Sequence, residues 1–234
     1  MSTTHRSELL RANLLEGATV MLGCASSPPV DSGESLAAAV HTACAALGAH
    51  VSDCELFSDG STGLDEAALE QAVDRALSET GSIELLAVDG AGLFACAAGQ
   101  ATTPGEHEPT REREGARRAA LGACLDASWN LTRAVANRAF LPRERGGRIV
   151  YLAPAPGADR SKIGQHADAA RAGLENLART LSIEWARHGI TAVTIAPGTA
   201  TAADEVAALT AYLASPAGAY FSGCLLDLRG PAGQ

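Results

Sequence analysis

The sequence predicts a single α/β domain: a doubly wound parallel sheet with helices on both faces. Three observations carry this expectation. Short apolar runs alternate with helical apolar periodicities along almost the whole chain of 234 residues, the order that builds parallel strands joined by crossover helices. The composition is 47% hydrophobic but only 4% aromatic, so the core must be built from Ala, Leu and Val, which suits helices lying close on a sheet. No repeat and no linker divides the chain, and its length fits one core.

The elements follow in order. Residues 18–23 (ATVMLG) read as a first strand. Leu36, Val40, Ala43 and Leu47 recur at helical spacing and Gly48 ends that helix. Residues 49–54 are a second strand, and Leu69, Val73 and Ala76 mark the next helix. Residues 84–88 (ELLAV) are a third strand. A segment rich in Glu, Arg, Thr and Pro, about residues 100–118, reads as a polar loop leading into a helix. Leu121, Leu125, Ser128, Thr132 and Val135 form the inner stripe of that helix, and residues 148–152 (RIVYL) a buried strand. Leu174, Leu177, Leu181 and Trp185 share one face of a helix over residues 169–187, followed by a strand over 190–195. Val206, Leu209 and Leu213 define a last helix, and residues 224–228 a last strand. Residues 1–15 read as an N-terminal extension to a domain over 16–234.

Composition excludes several classes. A net charge of −9, with Lys162 the only lysine, argues against nucleic acid as a partner, because phosphate binding needs a basic face. No apolar run is long enough to cross a bilayer, and the first residues have no signal-peptide core. Cys24, Cys44, Cys54, Cys96, Cys124 and Cys224 are scattered, with neither a Cys-x-x-Cys pair nor a histidine cluster. A reduced, cytoplasmic protein with no metal site is the expectation.

The most informative stretch is residues 170–198, ARAGLENLARTLSIEWARHGITAVTIAPG. With GRIVYLAP before it and EVAALTAYLASPAGAYFSGCLLDLRG after it, it resembles the short-chain dehydrogenase/reductase family. The resemblance runs from about Glu16 onward and is strongest from Gly147. It implies a Rossmann-like fold and hydride transfer between a nicotinamide and a carbonyl or alcohol. In that family a tyrosine is the general acid/base and a lysine lowers its pKa and holds the nicotinamide ribose. A serine orients the carbonyl, and an asparagine supports a relay water.

Laid on this chain, the tyrosine position is Ala167, the lysine position Arg171, the serine position Pro154 and the asparagine position Cys124. Acid–base catalysis needs a group that titrates, and alanine has none. His166 stands beside the tyrosine position, but neighbours on a helix point about 100° apart, so it reads as a helix-start histidine. Tyr151 reads as packing or interface. The family's glycine loop becomes LGCASSPPVDSGES: Gly23 is kept, Ser26 and Ser27 follow, and Pro28 and Pro29 remove backbone donors. Asp31 and Glu34 add negative charge where a pyrophosphate would lie. Glu55 stands where an acidic residue would hold an adenosine ribose, and Asp89-Gly90-Ala91-Gly92 where the family has Asn-Asn-Ala-Gly. The substrate lid that normally follows Pro197-Gly198 is missing.

These departures lead to the expectation of a catalytically inactive subunit that binds no cofactor and assembles with an intact relative, most simply as a tetramer. Its contact segments would be about residues 117–139, 165–187 and 203–228, with Trp129, Trp185, Tyr220 and Phe221 as interface anchors. Two alternatives stay open: an NAD- or NADP-dependent ketoreductase or hydroxyacyl dehydrogenase using non-standard residues, and a homo-oligomeric ligand-binding or regulatory protein.

Overall fold

The computed structural model describes residues 10–26, 35–57, 65–100, 110–142, 146–156 and 162–229. Six parallel strands, β1 (Thr19–Ala25), β2 (His50–Phe57), β3 (Leu85–Val88), β4 (Gly147–Leu152), β5 (Ile190–Pro197) and β6 (Leu225–Leu228), form one sheet. Their order is β2-β1-β3-β4-β5-β6. Helices α1 (Leu36–Ala46), α2 (Glu66–Thr80), α3 (Gly90–Gln100), α4 (Thr110–Val135), α5 (Lys162–Glu184) and α6 (Ala203–Ala214) cover both faces. This is the predicted doubly wound α/β fold.

Alternation along the strands sorts side chains into two layers. Met21, Leu86, Val88, Ile149, Tyr151 and Ala192 face the layer containing α2, α3, α4 and α5. Val20, Leu22, Leu85, Ala87, Val150, Leu152 and Val193 face α1 and α6. Local chemistry sets the helix ends. Ser35 Oγ accepts the Ala38 amide at the start of α1, and Asp65 Oδ1 accepts the Ala68 amide at the start of α2. Gly81, with φ of 83°, closes α2 in the left-handed region that glycine enters at no steric cost.

Several boundaries differ from the sequence reading. Helix α4 begins at Thr110, inside the stretch expected as a polar loop, because Glu and Arg are good helix formers even where nothing apolar guides them. Helix α5 begins at Lys162 rather than near 169 and is followed by a single 3-10 turn over Ala186–His188. Helix α3 was not expected: its Gly- and Ala-rich sequence carries little periodic contrast. Past Val135 the chain makes one wide turn, Ala136–Phe140, which sets the Phe140 ring against Gly147, where a Cβ would come within 2.4 Å of it. Leu15, in the stretch assigned to the extension, is buried and its amide bonds to the Leu47 carbonyl at 2.9 Å.

Candidate active site

Strand order reverses between β1 and β3, and ligands of open parallel sheets bind in the crevice beyond the carboxyl ends of the strands at such a point. Gly23 lies near the end of β1, the Asp89-Gly90 pair directly after β3, Pro154 just past β4 and Pro197 at the end of β5. Helix α5 carries Ala167 and Arg171 to the same end of the sheet.

Arg171 is the hub of that end. Its guanidinium, 7% exposed as a residue, donates to the carbonyls of Pro154 at 3.1 Å, Pro197 at 2.9 Å and Ala196 at 3.3 Å. It also lies 3.6 Å from the Asp227 carboxylate on β6. Arg229 pairs with the same carboxylate, chiefly through its hydrogen bonds, and holds it down to about 2. Arg171 thus ties β4, β5 and β6 together, whereas a family lysine would reach out to a ribose. A planar fork bonding several carbonyls is a role a lysine cannot duplicate.

Ala167 is buried, and Cys124 is fully buried with its thiol on the Gly90 carbonyl at 3.3 Å. Burial pushes that thiol up to about 12, so it neither donates a proton nor attacks at neutral pH. Cys24 and Cys44 are pushed up to about 12 and Cys54 to about 11, again chiefly by burial. Tyr151 is not available either: it is fully buried, with its hydroxyl 2.9 Å from Thr132 Oγ1, and burial keeps it protonated. His166 is half-buried beside Ala167.

At the opposite pole, Ser26 is spoken for: its amide bonds to the Phe57 carbonyl at 3.2 Å and its hydroxyl donates to the same oxygen. Ser27, Pro28, Pro29, Asp31 and Glu34 lie outside the described residues. Glu55 is exposed on β2, paired in register with Cys24 of β1. Asp89, at the first position of the segment that stands where the family has Asn-Asn-Ala-Gly, is 3% exposed and accepts the Gly92 amide at 2.8 Å. The Gly90 and Gly92 positions admit no side chain: a Cβ on Gly90 would meet Leu174 of α5 at 2.5 Å, and one on Gly92 the Asp89 carboxylate at 2.5 Å.

The expected interface anchors divide. Trp129 and Trp185 stack on each other within the chain, ring centres 6.4 Å apart, and Trp129 keeps 38% of its surface exposed. Tyr220 is 92% exposed, while Phe221 packs edge-on against Tyr212 at 6.1 Å. Gly173, inside the expected contact segment over residues 165–187, lies against Leu125 of α4 in the same chain, where a Cβ would come within 2.8 Å. A cavity of about 410 Å³ opens at the amino ends of β3, β4 and β5, lined by Glu84, Arg148 and Thr191 among others. None of the expected site residues borders it.

Comparison with known proteins gives this arrangement its class. The family described as short chain dehydrogenase matches residues 16–211; the chain belongs to that family. Among curated proteins it is similar to peroxisomal 2,4-dienoyl-CoA reductase [(3E)-enoyl-CoA-producing] of Pongo abelii, 26% identical over 193 residues, covering 70% of this chain and 62% of the relative. The Rattus norvegicus protein of the same name is 26% identical over 191 residues, covering 70% of this chain and 61% of the relative. The chain therefore spans about three fifths of the length of these relatives. Among solved structures it resembles a citronellol catabolism dehydrogenase of Pseudomonas aeruginosa, with 23% identity, TM-score 0.67, and 97% of this chain and 99% of that one covered. A short chain dehydrogenase of Mycobacterium smegmatis gives 21% identity and TM-score 0.71, with 95% and 96% covered.

These findings overturn the expectation of a catalytically inactive subunit built around an intact relative. The family and the curated relatives are oxidoreductases by name, so the changes at Cys124, Pro154, Ala167 and Arg171 are departures within a family of reductases. The family normally uses NAD or NADP, the cofactors expected with the ketoreductase alternative. The described residues meet such a cofactor unevenly. Exposed Glu55 suits the nucleoside end, whereas Gly23 is buried, with Leu131 and Leu56 packed where a side chain on it would lie. At the phosphate end, Ser26 and the Ala38 amide of α1 already have partners within the chain.

Proposed function

We propose that this chain is a nicotinamide-dependent reductase acting on an activated carbon–carbon double bond of an acyl thioester. The observation that carries this reading is the membership of residues 16–211 in the short chain dehydrogenase family, joined to a site whose tyrosine position is Ala167. The reduced nicotinamide, when bound, supplies a hydride.

Two reactions of that kind make different demands on the protein. Adding hydride to a ketone leaves an alkoxide, which needs an acid at its oxygen. Adding hydride to a conjugated double bond spreads the charge over the thioester carbonyl, and the resulting enolate takes its proton at carbon from water. Neither Ala167 nor Pro154 titrates, and the Cys124 thiol holds its proton to about 12, so the second reaction suits this site better. Arg171, bonded to the Pro154 carbonyl and 3.6 Å from the Asp227 carboxylate, is a buried cation at this end of the sheet. The names of the curated relatives, dienoyl-CoA reductases, support the same class. Ketone reduction or hydroxyacyl oxidation is the second reading, favoured by the family's general chemistry.

The reading includes self-association through the α4–α5 face, on which Trp129 is 38% and Ile183 77% exposed; light scattering behind size exclusion measures it. The activity test is a spectrophotometric assay of NADH and NADPH oxidation with a 2,4-dienoyl-CoA, a 2-enoyl-CoA and a 3-ketoacyl-CoA. Turnover of an unsaturated thioester, with little on the ketone, is expected. Turnover confined to the ketoacyl substrate would replace the first reading by the second, and oxidation with none of the three would remove both.

A further inference from the structure

The cavity of about 410 Å³ at the amino ends of β3, β4 and β5 lies at the opposite end of the sheet from Arg171, Pro154 and Pro197. Its volume is that of a small-molecule pocket, and the local sequence keeps it open. Gly146 and Gly189, with φ of 71° and 70°, lead the chain into β4 and β5 in the left-handed region that suits glycine. They stand back to back: a Cβ on Gly146 would come within 2.3 Å of the Gly189 carbonyl oxygen. That wall is therefore bare backbone, and Ala139 and Ala219 add only methyl groups to the lining.

Two opposite charges line the same space, Glu84 and Arg148. Glu84 Oε2 accepts the Thr19 amide at 2.7 Å, and Oε1 makes no bond among the described residues. Arg148 donates from Nη1 to the Ala214 carbonyl at the end of α6, which uses one of the five N–H donors of a guanidinium. Burial lowers the Arg148 guanidinium from its ordinary value and Glu84 opposes that shift. No ion pair joins the two side chains among the described residues. Half-buried charges with unanswered valences are costly, and a molecule carrying both complements satisfies the two at once. A phosphate would gain Arg148 but meet Glu84 as a like charge, and a simple amine the reverse. Ile83 gives the lining an aliphatic side chain.

We propose that this cavity is a second binding site, for a small aliphatic amino acid: its carboxylate on Arg148, its ammonium on Glu84 and its side chain against Ile83, Ala139 and Ala219. The planar fork of an arginine matches a carboxylate, and the small walls leave room for a branched side chain. The site is independent of the nicotinamide reading, since none of its residues belongs to the crevice at the carboxyl ends of the strands.

The test is calorimetric titration of the full chain with alanine, valine and leucine. Leucine is compared with 4-methylpentanoate, which lacks the ammonium, and 3-methylbutylamine, which lacks the carboxylate. At least one of the amino acids should bind with a Kd below about 1 mM, and each of the two leucine fragments about tenfold more weakly than leucine. Glu84→Gln keeps an acceptor for the Thr19 amide but removes the charge; it should weaken the amino acid about tenfold and leave 4-methylpentanoate no weaker. Ala219→Trp places a bulky group at an exposed position of the lining, away from the core, and should abolish binding. Failure of all three amino acids to bind at about 10 mM overturns the inference. So does a fragment that binds as tightly as leucine, a result that needs no variant to fold. Binding that survives Ala219→Trp unchanged lies elsewhere on the chain and overturns it too. Reductase activity is not a readout here, so the fate of the nicotinamide reading does not bear on the result.

Discussion

The Arg171 guanidinium and the Pro197 carbonyl are joined by a hydrogen bond of 2.9 Å. The same guanidinium reaches the strand-end carbonyls of Pro154 and Ala196, so one side chain fastens the carboxyl ends of β4 and β5.

Replacing Arg171 by Met leaves those carbonyls without their charged donor. Hydrogen bonds to charged groups contribute about 1.5–3 kcal/mol each, and the three share one side chain, so a total loss of about 3 kcal/mol is expected. That corresponds to a fall in Tm of roughly 6–12 °C for a domain of this size. Arg171→Lys should recover only part of it, because a single ammonium cannot span three carbonyls. Urea denaturation monitored by circular dichroism measures both; equal stability of the Lys variant and the parent would contradict the bracing role.

Tyr151 and Thr132 make an unequal pair. Thr132 Oγ1 donates to the Ser128 carbonyl at 2.7 Å, so in the 2.9 Å contact between the two hydroxyls the tyrosine is the donor. Tyr151→Phe removes that donor and leaves Thr132 still bonded, at a cost of about 1 kcal/mol. Thr132→Val leaves a buried phenol with nothing to donate to, at a cost of about 2–3 kcal/mol. Chemical denaturation of the two variants should rank them in that order, and the reverse ranking would show that the donor assignment is wrong.

Glu55 sets a prediction about cofactor choice. An exposed carboxylate near the end of the second strand accepts ribose hydroxyls and repels a 2′-phosphate. NADH is expected to bind about tenfold more tightly than NADPH. Glu55→Arg should remove or reverse that preference, since an arginine accommodates the extra phosphate. Titration with both nucleotides measures it; a preference untouched by the substitution would mean that Glu55 does not face the ribose.

Asp89 also gives the fold a pH dependence. Burial raises its carboxyl above the ordinary range, against the lowering pull of the Gly92, Ala37 and Ala91 amides. A folded acid with a raised pKa binds its proton more tightly than the unfolded chain does, so its contribution to stability falls as pH rises from the ordinary carboxylate range through the raised value. In Asp89→Asn that slope is absent. The variant's Tm, measured against the parent from pH 4.5 to 8.5, should therefore improve steadily toward alkaline pH. A difference that stays constant across this range would show that Asp89 does not titrate there.

Much of the fold is legible in the sequence because its signals are local and periodic. IVYL announces itself by an apolar run, the strand beginning at Ile190 by a mostly apolar one, and Leu174 and Leu181 by their spacing; Ile149, Val150, Tyr151, Leu152, Ile190, Leu174 and Leu181 are buried where the pattern puts them. Helix α3 escaped because GAGLFACAAGQ offers small residues on every face, and small residues carry no amphipathic contrast. The candidate site was half legible. Which residues stand at the four family positions can be read directly, but what Arg171 bonds to cannot, since Pro154, Pro197 and Asp227 come from three separate strands. Asp89 was hidden for a related reason: the local pattern shows only an acid at the end of an apolar run, and its 3% exposure follows from the packing of the folded chain.

The buried thiols give the two layers of the core separate internal reporters. Cys44 lies among the side chains that α1 and α6 press onto one face of the sheet, and Cys124 among those of α4 and α5 on the other. Neither sulfur meets solvent in the folded chain, so a thiol-specific reagent reaches each one only when its own layer comes apart. The relative rates at which the two are trapped would tell whether the faces of the sheet loosen together or one ahead of the other, with no label added to the protein.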